Sequence, residues 1–346
     1  MIDYIMLDLN SSVPKYIQII DCIVNNISKG QFKIGDKMPS MSKLSKEFYI
    51  SKDTVERAYR VLKKRRIIIT IQGKGTYIAE TRAISKPKIL FLVNKLSPYK
   101  IKVYNSFLEQ LEDSSIVDIH SYHCDETLFL ELMKKYESSY DYYVIMPHFR
   151  TKNLLHVSTT DKVTEVIKKI PKENLVLLDN SDHKIEGDFN EVYQDYKNDV
   201  IDALNKGNKS IAKYNTITIV YPKTSFYPYP KSILEGFKQY CAQNSFKFKI
   251  IEEVTLQTSI APKNLFITLV DNDLVKIVNK IKSSKYKLGK DIGVISYNDS
   301  PLKQLLGITV ISTNFSSMGK EAARMIFEKK KEKVQIPVNF INRESL

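Results

Sequence analysis

The chain has 346 residues with 53 Lys and Arg against 39 Asp and Glu, a formal net charge of +14, and it contains only three cysteines and no tryptophan. Sixteen of the cationic residues and eight of the acidic ones precede residue 87, so more than half of the net charge lies in the first quarter, a bias that favours a polyanionic partner. Cys22, Cys124 and Cys241 are scattered, which argues against a disulfide framework. No apolar run approaches the roughly 20 residues of a spanning helix, and the N-terminus lacks a basic-then-apolar signal pattern. A cytoplasmic protein without a membrane partner is therefore expected.

In chain order, the first helical pattern is Tyr16, Ile19, Ile20, Ile23, Val24 and Ile27, entered at Pro14 and left at Gly30. Next comes MPSMSKLSKEFYISKDTVERAYRVL from Met38 to Leu62. Ser40 and Ser51 each stand where an N-cap is required, with Tyr49 and Ile50 as the turn between two short helices. The second helix places Val55, Ala58, Tyr59 and Leu62 on one face, and Lys52, Asp53, Glu56, Arg57, Arg60 and Lys64 on the other. A helix with an apolar back and an arginine-bearing front has the build to enter a major groove. Two β-rich runs, 67–71 and 76–78, then flank Gln72-Gly73-Lys74-Gly75, a hairpin with a lysine at its tip.

Three helices and a wing carrying P-x-Y-x-Q-I, G-x-F-x-x-G-D-x-M-P-S, L-S-x-x-F, S-K-x-T-V-x-R-A-Y and G-x-G-T-Y closely resemble the DNA-binding domain of the GntR family of bacterial transcription regulators, from Ser11 to Ala79. The resemblance implies DNA contacts from Ser40, Lys43, Ser51, Lys52, Asp53, Thr54, Arg57 and Arg60, and from Gly73, Lys74 and Gly75 on the wing. The sequence departs from the family at Met41-Ser42, where an acidic-Arg pair is common, at Lys52, where Arg is frequent, and at Glu56, where a basic residue is.

Thr81 to Pro87 reads as a linker, giving expected domains over 1–80 and 88–346. Beyond it, apolar strands alternate with helices: strands at 89–93, 117–122, 142–146, 175–178, 216–221, 248–251, 265–270 and 292–296, and helices at 103–111, 128–136, 162–170, 198–205, 233–243 and 274–283. Nearly continuous apolar strands between helices predict parallel sheets covered on both faces, and the restart after about residue 205 predicts two lobes. The expected fold class is α/β: a winged helix-turn-helix followed by a two-lobed, doubly wound, periplasmic-binding-protein-like domain. His120, His123 and Cys124 form the only suspicious ligand cluster, but on a strand residues three apart face opposite ways. No metal, cofactor or catalytic residue is expected.

Leu288-Gly-Lys-Asp-Ile-Gly-Val-Ile-Ser-Tyr-Asn-Asp299, Ile308 to Thr313, Met318-Gly-Lys-Glu-Ala-Ala-Arg-Met-Ile, Val270-Asp-Asn-Asp273, Leu177-Leu-Asp-Asn180 and Gly236-Phe237 are similar to motifs of the LacI-type effector domain, a relative of periplasmic sugar-binding proteins. Where that family has an arginine three residues before the Gly of Gly-Phe this chain has Ile233, with Lys231 or Ser232 nearby as a substitute. Strand ends supply the candidate effector contacts Asn94, His148, Phe149, Asp179, Asp273 and Asn298, joined by Tyr227, Tyr229 and Lys231. Asp273 leads, because motif and strand-end position agree. Together the resemblances imply a dimeric repressor on an inverted-repeat operator in double-stranded DNA, controlled by a small molecule such as a monosaccharide. The alternatives are a GntR-type fusion to an aminotransferase-like enzyme, for which no cofactor-lysine context is visible, and an architectural DNA binder, which would not need the second domain.

Overall fold

The computed structural model describes all residues except 9, 10, 12, 80–85, 113, 114, 329 and 330, so most of the expected linker lies outside the described residues. Two compact units divide the chain, Met1–Lys86 and Pro87–Leu346.

In the first unit, α1 (Lys15–Ser28), α2 (Met41–Glu47) and α3 (Lys52–Lys64) precede the antiparallel hairpin β1 (Ile68–Ile71) and β2 (Gly75–Ile78). Both expected caps form: Ser40 Oγ accepts the Lys43 N–H at 3.1 Å and Ser51 Oγ the Thr54 N–H at 3.2 Å. Tyr49 turns the chain between α2 and α3 with φ of 51°. Ile19, Ile20, Ile23 and Ile27 of α1 meet Val55, Ala58, Tyr59 and Leu62 of α3 in one core, closed by Ile68 and Ile78 of the hairpin. That core takes the buried positions of α3, and the polar face, with Lys52, Asp53, Glu56, Arg57 and Arg60, is left exposed.

The second unit begins with β3 (Lys88–Val93), α4 (Pro98–Leu111), β4 (Ile116–Ser121), α5 (Glu126–Lys135), β5 (Tyr142–Ile145), a short hairpin of β6 (Phe149–Arg150) and β7 (His156–Val157), α6 (Asp161–Lys168), β8 (Leu175–Asn180) and β9 (Asn190–Gln194). It continues through α7 (Tyr196–Lys206), α8 (Asn208–Ile211), β10 (Thr216–Val220), α9 (Lys231–Gln243), β11 (Lys247–Ile251), β12 (Asn264–Thr268), α10 (Asp271–Lys282), β13 (Ile292–Tyr297), α11 (Pro301–Leu305) and β14 (Thr309–Thr313). The chain finishes with α12 (Phe315–Glu328), β15 (Lys333–Gln335) and β16 (Val338–Ile341).

Among the described residues the strands form two six-stranded sheets, ordered β15-β9-β8-β5-β3-β4 and β11-β10-β12-β13-β14-β16, parallel throughout except for the antiparallel β16. The chain passes between them three times, at β9 to α7, β14 to α12 and β15 to β16. Each sheet is covered on both sides, as its apolar strands require: on β3, Ile89, Phe91 and Val93 pack under α4 and α12, while Leu90 and Leu92 pack under α5 and α6. Helices α4 and α12 are in backbone contact through Gly319, where a Cβ would lie 2.2 Å from the Val103 carbonyl oxygen. Gly319→Ala must push these helices apart, so a loss of about 1–3 kcal/mol in the unfolding free energy of the second unit is expected by urea denaturation. A loss below 0.5 kcal/mol, on the order of an ordinary surface change, would contradict the close approach.

The expected helices of the second unit all begin later than the observed ones, by five residues at α4 and by one to three elsewhere. Ser97 caps α4 through the Lys100 N–H at 3.4 Å and Asp195 caps α7 through the Asn198 N–H at 3.1 Å, so both helices gain a polar first turn that apolar periodicity does not register.

Candidate functional site

Two places concentrate the candidate residues. On the first unit, Lys43, Lys52, Asp53, Arg57 and Arg60 are exposed and Thr54 is partly exposed. Arg60 pairs with Glu56 at 3.2 Å, but with side chains 75% and 51% exposed such a pair is worth at most about 1 kcal/mol and can give way to phosphate or a base edge. The Arg57 guanidinium lies over the Tyr16 ring, 4.0 Å from its centroid, and is thereby oriented from α1. The oxygens of Ser40 and Ser51 are already engaged as caps, so these two serines define the helix starts first of all. On the wing, Gly73 (φ 75°) and Gly75 (φ 120°) make the tight turn that leaves Lys74 exposed, and the Tyr77 hydroxyl braces it by donating to the Lys74 carbonyl at 3.0 Å.

In the second unit, the carboxyl ends of the strands of both sheets converge. Asp179, at the end of β8, is 1% exposed and has φ of 79°, a conformation that only a surrounding network sustains. Lys100 from α4 and His148 Nε2, at 2.6 Å, donate to its Oδ2, joined by the Tyr196 hydroxyl at 3.0 Å, while Gln194 Nε2 donates to Oδ1 at 2.5 Å. Burial alone would raise its pKa, but Lys100 and His148 outweigh that and hold the carboxyl well below the usual range. Burial lowers the pKa of His148, and burial with His148 beside it lowers that of His156 to about 2. Both imidazoles are thus neutral, which fits a relay in which His156 Nε2 donates to His148 Nδ1 at 2.8 Å and His148 donates on to Asp179. Gln194 also accepts the Thr313 hydroxyl, linking the ends of β9 and β14, two of the strands that lead into crossovers.

The two lobes meet along one line. His123 Nδ1 lies 3.0 Å from the Tyr227 hydroxyl, and the Lys95 ammonium is 5.7 Å and 5.2 Å from the ring centroids of Tyr227 and Tyr229. Arg150 spans Asp125 at 3.0 Å and the Phe226 ring at 4.0 Å, and Tyr99 meets Lys303 at 3.5 Å.

Several sequence-based expectations change here. Asp273 is in the first turn of α10, and its Oδ1 accepts the Val254 N–H at 2.9 Å, so the carboxylate ties down the turn after β11 instead of serving the cleft. Phe149 is fully buried and stacked on Tyr122, a core residue. Lys231 is 83% exposed and its ammonium pairs with Glu235 at 3.5 Å on α9. Asn298 takes part through its backbone carbonyl, which accepts Lys303 at 2.9 Å. Asp179 is at the cleft, but four donors use the roughly four acceptor sites of a carboxylate, leaving none for a ligand hydroxyl. Asn94, His148, Tyr227 and Tyr229 do gather there. His120 and His123 separate, His120 lying 5.0 Å from Tyr136 and His123 on Tyr227, and among the described residues no group of three His, Cys, Asp or Glu could hold a metal ion.

Sequence reasoning missed Lys95, Lys100, His156, Gln194 and Tyr196. Lys100 reads as an ordinary helix-surface lysine, and β9, Asn190-Glu-Val-Tyr-Gln194, lacks the apolar run that marks a buried strand. The one available signal was adjacency: Lys95 directly follows the candidate Asn94 at the end of β3.

Comparison with known proteins agrees with both units. Residues 15–78 match the model of bacterial regulatory proteins of the gntR family, and residues 212–346 match that of a periplasmic binding protein-like domain. Over 120 residues the chain is 39% identical to the mannosyl-D-glycerate transport/metabolism system repressor MngR of Escherichia coli (strain K12), covering 35% of this chain and 42% of the relative. Over 76 residues it is 42% identical to the transcriptional repressor YtrA of Bacillus subtilis (strain 168), covering 22% and 58%. The chain thus spans roughly half the length of these relatives. A LacI family transcriptional regulator from Lactobacillus casei with bound glucose superposes with a TM-score of 0.57 at 17% identity, over 75% of this chain and 99% of that one. The trehalose repressor from Escherichia coli does so with a TM-score of 0.59 at 15% identity, over 74% and 100%. No helix among the described residues is long and apolar enough to cross a membrane. The chain therefore joins a DNA-binding domain of the gntR family of bacterial regulatory proteins to a periplasmic-binding-protein-like domain with the fold of LacI-type regulators.

Proposed function

We propose that the protein is a one-component transcriptional repressor whose hold on operator DNA is set by a small hydroxylated effector, in the first place a sugar, bound between the lobes of the second unit. The observation that carries this reading is the junction, in one chain, of a winged helix with an exposed, arginine-bearing face and a two-lobed periplasmic-binding-protein-like fold. The relatives named as repressors and the solved glucose-bound regulator support it by analogy of fold. A single winged helix buries little DNA surface, so useful affinity calls for a homodimer on an inverted repeat. Ligand that favours one lobe arrangement then changes the geometry of the paired winged helices.

Selecting bound fragments from genomic DNA, and measuring their release by fluorescence anisotropy with a sugar panel, tests the reading. A shared inverted repeat whose affinity changes with one panel member is the expected result; fragments without a common motif would defeat it. Lys74 at the wing tip is expected to contact phosphate or the minor groove. Lys74→Ala should then weaken all sequences about equally and lower the salt slope of log K by roughly one unit. A slope equal to that of the wild type would remove Lys74 from the interface.

A further inference from the structure

The charges lining the meeting of the lobes are almost all internally matched. Asp179 holds Lys100, Asp125 holds Arg150, and Asp271 holds Lys303 at 2.8 Å. Lys95 is the exception. Its ammonium has neither a carboxylate nor a hydrogen-bond acceptor among the described residues, and it faces only the rings of Tyr227 and Tyr229. The rings come from the other lobe, so Lys95 stands in the cleft itself and not on its rim. Burial, and then Lys100, lower its pKa and outweigh the opposing pull of Cys124 and Asp179, neither of which it contacts. A second loose end lies beside it: Asn94 Oδ1 is buried with no hydrogen-bond partner, although buried amide oxygens are almost always satisfied. Nearby, the neutral relay from His156 ends in Asp179, whose acceptor sites are full.

What the cleft lacks is therefore an anion next to a donor. We propose that the effector is an anionic, hydroxyl-bearing molecule, a sugar acid or a sugar phosphate, whose carboxylate or phosphate pairs with Lys95 while a hydroxyl donates to Asn94 Oδ1. This rests on reading the cleft as the effector site and narrows the class of ligand that fills it. The aromatic faces of Tyr227 and Tyr229 hold the ammonium from one side, which leaves its N–H groups directed to the incoming anion. A neutral sugar would satisfy Asn94 but leave the cation uncompensated.

The test uses the full chain and matched probes: glucose, glucuronate and glucose 6-phosphate, with the corresponding galactose and arabinose sets, screened by thermal shift and followed by calorimetry. Binding is expected to be confined to acidic members, the carboxylate and phosphate arms deciding which anion fits. Lys95→Met, which keeps the chain length without the charge, should weaken the acidic hit by about tenfold to a hundredfold. Lys95→Arg should keep most of the affinity. Preferential binding of a neutral sugar, or an acidic hit bound equally well by Lys95→Met, would overturn the assignment of an anion while leaving the cleft as an effector site. Absence of binding by every neutral and acidic probe would count against the sugar-effector reading itself, and this inference would go with it.

Discussion

Asp179→Asn is expected to destabilise the second unit by about 3–5 kcal/mol, because it leaves the Lys100 ammonium, whose side chain is 9% exposed, buried without its counter-charge. The amide keeps one acceptor: with its NH2 in the Oδ1 place it opposes the Gln194 amide donor, and in the Oδ2 place it opposes three donors. The unfolding transition of the first unit should be unchanged, since it has its own core. Combining Asp179→Asn with Lys100→Met removes the unpaired charge and should recover part of the loss, giving a coupling energy in a double-mutant cycle. The dependence on pH has a definite sign. The folded carboxyl titrates below its unfolded value, so its contribution is present above the ordinary carboxylate range and is lost as the pH falls through the lower, folded value. His148 and His156, held neutral by burial, act in the same direction below about pH 6.5, where the unfolded imidazoles take up protons. Wild-type stability should therefore decline steadily on acidification, and Asp179→Asn should show a shallower decline. Denaturant curves carried from about pH 5 to below pH 4, the ordinary Asp value, whose stability falls equally steeply for the two proteins would contradict the network.

Arg57→Ala is expected to give the larger effect on DNA. The side chain combines exposure on α3 with a fixed direction, imposed by the Tyr16 ring 4.0 Å from its guanidinium. A base-reading arginine is worth about 1–3 kcal/mol of discrimination, so specific affinity should fall roughly fivefold to 150-fold, with preference relaxed at one position of the half-site. Arg60, paired only with the exposed Glu56, should cost less. Selection from a randomised half-site library measures both; a uniform loss across all sequences would reduce Arg57 to a phosphate contact.

The winged helix was legible residue by residue. Its caps, its four-residue apolar face on α3 and the glycines around Lys74 are local rules, and the structure follows them. The alternation of strands and helices in the second unit was equally readable, since strands such as Ile89 to Val93 are apolar on both faces. The cleft was legible only in part, because its chemistry is made by residues far apart in the chain. Asp179 meets Lys100, His148, Gln194 and Tyr196 only once β8, α4, β5, β9 and α7 are assembled, and nothing local marks Lys100 or Gln194 as buried. Asp273 shows the converse. Its motif and its place after a strand were read correctly, but the turn at Val254 claims its carboxylate, a long-range contact that no periodicity announces.

The most direct test of the central claim, that the second unit controls the DNA affinity of the first, is an anisotropy titration of wild-type protein on its selected operator at saturating concentration of a ligand shown by calorimetry to bind residues 87–346. The account predicts a change in operator Kd of at least about tenfold, corresponding to a coupling of about 1.4 kcal/mol between the two sites. A ligand that binds the second unit tightly and leaves the operator Kd unchanged would contradict it.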